Sequence, residues 1–95
     1  METQTATARL ENRKMIAFNS IKKINNYMDD DFVAEGENAL AKADNKSKAV
    51  GALEMVISGI RYCFGSRPEC RDLYTLHLGI IENMKKEIQD SEFIS

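Results

Sequence analysis

Apolar residues recur at intervals of three and four along most of this chain, and nowhere do they alternate with polar ones over the length of a strand. The clearest stripe covers residues 49–64, where Val50, Leu53, Val56, Ile57, Ile60 and Phe64 share one helical face with Met55 and Cys63 beside them. A face that broad predicts a core helix. A second stripe, Leu73, Leu76, His77, Ile80, Ile81, Met84 and Ile88, predicts a last helix over residues 66–90. The first helix is predicted over residues 7–28, with Leu10, Ala17, Ile21, Ile24 and Met28 on its face and Met15, Ile16 and Phe18 widening it. Arg9, Arg13, Lys14, Lys22 and Lys23 lie around that face, giving a basic segment that ends in acidic Asp29-Asp30-Asp31. Between these elements lies a weaker face made of Phe32, Val33, Ala39, Leu40 and Ala43.

The boundaries follow from capping chemistry. Three aspartates at 29–31 would oppose the dipole at the end of the first helix, so they belong to the start of the next, with Asp30 or Asp31 as N-cap before Phe32. Gly36 weakens that helix by about 1 kcal/mol relative to alanine. The polar run at 44–48 is suited to end it and cap another, yet holds neither glycine nor proline, so one helix across residues 31–64 is the alternative. Residues 61–71 contain both cysteines, the single proline and three of the five arginines. There Gly65 is expected to close one helix in the left-handed conformation, and Ser66-Arg67-Pro68-Glu69 to open the next as a capping box. Gly51, Met55 and Gly59, spaced by four, mark a strip where a second backbone can approach. The fold class is therefore all-α: an antiparallel helical bundle of three or four helices with a C-terminal helical hairpin. It forms a single domain over residues 1–95, with residues 1–6 and 91–95 as flexible tails.

Composition narrows the function. Ninety-five residues, 43% apolar and 29% charged, suit one globular domain. At that size only about two-thirds of the unfolded surface is buried, which makes self-association an effective source of further burial. A net charge of −2 disfavours wholesale nucleic-acid binding, which needs a basic excess. The start of the chain lacks the features of a secretion signal and its longest apolar region is too short to span a bilayer, so a cytoplasmic location with no membrane contact is expected. Two cysteines are too few for a disulfide framework, and with one histidine too few for a metal site. Reduced thiols and no cofactor are expected.

His77, the one histidine, falls within an apolar stripe, where such a residue usually has a structural role. No glycine-rich phosphate loop, paired metal-spaced histidines or glycine-flanked nucleophilic serine is present. The string Arg71-Asp72-Leu73-Tyr74-Thr75-Leu76-His77 resembles the arginine-to-histidine motif of HEPN-type ribonucleases, which are all-helical and dimeric. That resemblance implies that Arg71 and His77 assist attack of an RNA ribose hydroxyl on its phosphate. Six helical steps set the two side chains roughly 240° apart, so a second subunit would have to complete the site. Residues 73–77 followed by Ile80-Ile81 are also similar to the leucine-rich late helix of flagellin-export chaperones, which implies a groove that holds a partner's amphipathic segment.

Arg61, Arg67 and Arg71 gather near the start of the last helix, where a phosphate, a nucleotide or an acidic segment would find positive charge. Their plainer role is pairing with Glu69, Asp72 or Glu54. Cys70, flanked by arginines, is a candidate reactive thiol unless it is buried against Leu73. Taken together, the residues favour a non-enzymatic interaction module, an adaptor, chaperone or inhibitor. Such a module works as a homodimer and on another protein through apolar helix faces, with Val56, Ile60, Leu76 and Ile80 at the contact or in the core beneath it.

Overall fold

A computed structural model describes the backbone of residues 6–28 and 31–90. Four helices account for nearly all of it: α1 (Ala6–Met28), α2 (Asp31–Lys42), α3 (Lys46–Ser66) and α4 (Pro68–Asp90). The protein is an all-α helical bundle. Its helices stand in the spatial order α2, α3, α4, α1, because the extensive interfaces are α2–α3, α3–α4 and α1–α4, whereas α1 touches α2 and α3 only lightly. The cross-section of 22 × 20 Å is two helix diameters, so every helix keeps one side in water.

The predicted stripes form the core. Leu10, Ala17, Ile21 and Ile24 meet Val33 and Leu40, then Leu53, Val56, Ile60 and Phe64, and finally Ile81, Met84 and Ile88. Met15, Ile16, Phe32, Ala39 and Leu76, also expected on inward faces, are exposed instead. The side chains of Met28 and Leu73, the candidate cap Asp30 and residues 1–5 and 91–95 of the expected tails lie outside the described residues, and Ala6, expected in the first tail, begins α1.

Residues 31–64 form two helices, and their break is built without glycine or proline. Asn45 takes an extended conformation, and its Oδ1 accepts the Lys48 N–H at 2.9 Å, which caps α3. At the end of α2, the Ala43 N–H donates to Leu40 O at 3.1 Å. The remaining carbonyls find a donor in α1. Lys14 is only 2% exposed, and its Nζ lies 2.7 Å from Ala43 O, 3.4 Å from Ala41 O and 2.9 Å from Glu11 Oε2. An ammonium has three donors; two of these contacts are to carbonyls at the negative end of the α2 dipole and the third is to the Glu11 carboxylate on α1 itself. Lys14 is therefore an internal cap for the end of α2.

The α3–α4 joint also departs from its expected chemistry. Gly65 remains helical and has no left-handed φ. Ser66 closes α3 and its hydroxyl donates back to Tyr62 O, so it does not cap α4. Arg67 alone links the helices, its N–H donating to Cys63 O at 2.8 Å and its carbonyl accepting the Cys70 N–H at 2.9 Å. Proline disfavours the helical conformation in the residue before it, so Pro68 forces Arg67, rather than Gly65, out of the helix. Pro68 itself begins α4, where its missing N–H costs nothing.

Gly36 has a use that its helix propensity hides. It is buried where α2 crosses α3, and a Cβ built there would stand 2.5 Å from Val56 Cγ2, 3.2 Å from Val56 N and 3.4 Å from Ala52 O. Gly51, from the predicted strip, faces open space. The close backbone approach is made by α2 onto α3 within the chain.

Candidate functional site

Helix α4 has two flanks with different chemistry. Towards α1, a groove of about 220 Å³ is lined by Ile16, Asn19, Ser20, Lys23, His77 and Ile80. Towards α3, a cleft of about 350 Å³ is lined by Arg61, Phe64, Gly65, Arg71, Thr75 and Leu78. Helical geometry explains the division, since residues 71, 75 and 78 recur on one side and residues 77 and 80 on another. Arg71 and His77 thus belong to different flanks, and a single chain does not bring them together. His77 is half-buried, with its ring centroid 6.2 Å from that of Tyr74 and its Nδ1 buried without a hydrogen-bond partner among the described residues.

The three arginines separate as well. Arg61 pairs with Glu82 across the α3–α4 interface while also lining the cleft. Arg71 shares that cleft, and its guanidinium has no carboxylate partner among the described residues. Arg67 is exposed at the joint and lines neither flank. Of the expected acidic partners, Glu54 pairs with Lys85 at 3.5 Å, and Glu69 and Asp72 are exposed. Cys70 is buried in the core and Cys63 half-buried, with no disulfide between them. Burial removes Cys70 from solvent reagents, which answers the question of its reactivity in favour of packing.

Of the residues expected at a partner contact, Val56 and Ile60 are wholly enclosed by the chain's own core. For these two the structure selects the core alternative, because α2 and α4 both pack on α3. Leu76 is 73% exposed and Ile80, one turn on, is half-buried. Ile16 faces Ile80 from α1 across their shared groove. A second apolar exposure was not singled out in the sequence: Tyr62, 77% exposed, and Phe32 line a hollow of about 390 Å³ between α2 and α3, with Ser58 and Gly59. The available signal was that Tyr62 falls between core positions Ile60 and Phe64 without sharing their face.

Among the described residues no group of three or more histidine, cysteine or acidic side chains is placed to hold a metal ion, and no helix is long and apolar enough to cross a membrane. Fold and surface define the class as an all-helical bundle that leaves large apolar side chains in water on two faces. No family model, curated protein or solved structure matches the chain.

Proposed function

We propose that this protein is a non-enzymatic interaction module, an adaptor, chaperone or inhibitor, that associates with a second copy of itself through the α1–α4 face. The observation that carries the reading is Leu76, a large aliphatic side chain left 73% exposed in line with Ile80 and beside the groove that Ile16 helps to form. Fully burying a leucine contributes roughly 1.5–3 kcal/mol, and a two-fold contact uses each such residue twice. Leu76, Ile80 and Ile16 with exposed Asn19 and Lys23 beside them match the usual anatomy of an interface, apolar at the centre and polar at the edge.

Sedimentation from micromolar to millimolar protein tests this. The native chain is expected to dimerise and Leu76→Arg to remain monomeric, with an unchanged melting temperature in dilute solution because the residue is exposed. A native protein that stays monomeric throughout defeats the self-association reading.

A further inference from the structure

The cleft between α3 and α4, on the flank away from Ile80, combines two chemistries. Its floor is apolar, made of buried Phe64, half-buried Leu78 and Gly65, which adds no side chain. Its rim carries the exposed guanidinium groups of Arg61 and Arg71, and no carboxylate lines it. Glu82, which holds Arg61, belongs to the adjoining groove with Glu54, Lys85 and Lys86. The Thr75 hydroxyl donates to the Arg71 carbonyl, so its proton is already committed and the charge of a ligand falls to the arginines. The volume of about 350 Å³ lies at the small end of the range for ligand pockets, roughly 300–1,000 Å³.

We propose that this cleft binds a small amphipathic carboxylate, with its charge held by Arg71 and Arg61 and its apolar tail laid over Phe64, Gly65 and Leu78. Charge matching selects the ligand. Arg61 is already partly neutralised by Glu82, so the cleft presents about one uncompensated positive charge, which fits a monoanion better than a phosphate dianion. The planar fork of arginine meets a carboxylate through two parallel hydrogen bonds. A bare inorganic anion would leave the apolar floor unused. The site is independent of the α1–α4 contact and is available whether the chain is monomeric or dimeric.

A titration of the ¹⁵N-labelled protein with octanoate, followed through its amide resonances, tests the proposal. Octanoate is expected to shift the amides of Phe64, Gly65, Thr75 and Leu78 saturably. Acetate, which has the charge without the tail, and octylammonium, which has the tail with the opposite charge, leave them in place. Arg71→Gln, a change at an exposed side chain, weakens octanoate binding about tenfold, the low end for a charge-assisted hydrogen bond. The proposal is overturned if octanoate gives no saturable shift at these amides, if octylammonium matches it, if the shifts centre on Leu76 and Ile80, or if Arg71→Gln binds octanoate as tightly as the native chain.

Discussion

Replacing Gly36 with alanine is expected to destabilise the bundle, although alanine is the better helix former. Inside a helix the exchange alone gains about 1 kcal/mol. Against this, the new methyl would stand 2.5 Å from Val56 Cγ2, with Val56 N at 3.2 Å and Ala52 O at 3.4 Å behind it. Val56 is buried and β-branched, and such a side chain has one strongly favoured χ1 in a helix, so it has no easy rotamer to retreat to. The two backbone atoms move only if α3 shifts as a whole. Overpacking of this kind costs about 1–3 kcal/mol, which leaves a net loss of about 1 kcal/mol, or roughly 4–8 °C in melting temperature for a domain of this size.

A double-mutant cycle isolates the contact. Val56→Ala alone removes two buried methyl groups and costs about 1–3 kcal/mol. In that background, the methyl of Gly36→Ala enters the vacated space, so the pair should be more stable than the sum of the single changes by about 1 kcal/mol. Urea unfolding of the four proteins, followed by helical circular dichroism, measures each corner. If Gly36→Ala stabilises the native background by the full propensity gain, or if the two changes add within about 0.5 kcal/mol, the close crossing of α2 and α3 is wrong.

Two other substitutions probe the joints. Lys14→Met keeps the apolar stem but leaves Ala43 O without its ammonium donor, and is expected to lower stability by about 1–3 kcal/mol, with faster amide hydrogen exchange in the last turn of α2. Gly65→Ala places a methyl in open space on helical backbone and should raise the melting temperature, by up to about 1 kcal/mol of stability; a loss would mean that Gly65 is left-handed after all.

The helix pattern was legible because it depends on spacing alone. Leu53, Val56, Ile60 and Phe64 announce α3 whatever packs on them, and the polar run at 44–48 contains its own cap in Asn45. What escaped was decided between elements. Lys14 looks like any margin lysine until the end of α2 is set beside it, and Gly36 looks like a weak helix residue until α3 crosses it. At residues 65–68 two local signals competed: glycine and serine pointed to one boundary, and the restraint that Pro68 places on Arg67 set another. The site residues divide in the same way. The wide angle between Arg71 and His77 follows from helical arithmetic, whereas the pairing of Arg61 with Arg71 across one cleft depends on how α3 lies against α4. The burial of Val56 and Ile60 depends on α2, whose weak pattern understated how much it covers.

The spatial order α2, α3, α4, α1 has a consequence for synthesis. Helices α2, α3 and α4 each pack on their neighbour in sequence and can pair as the chain emerges, but the main partner of α1 is α4, made after the other two. Until then Leu10, Ile21 and Ile24 have only the lighter contacts of α1 with α2 and α3, and such partial cover is the condition in which nascent chains need shielding. The groove of Ile16 and Ile80 requires both α1 and α4, so it comes into being only when α4 closes on α1. A contact made there would report closure of this bundle, and chains not yet extended through α4 would not take part in it.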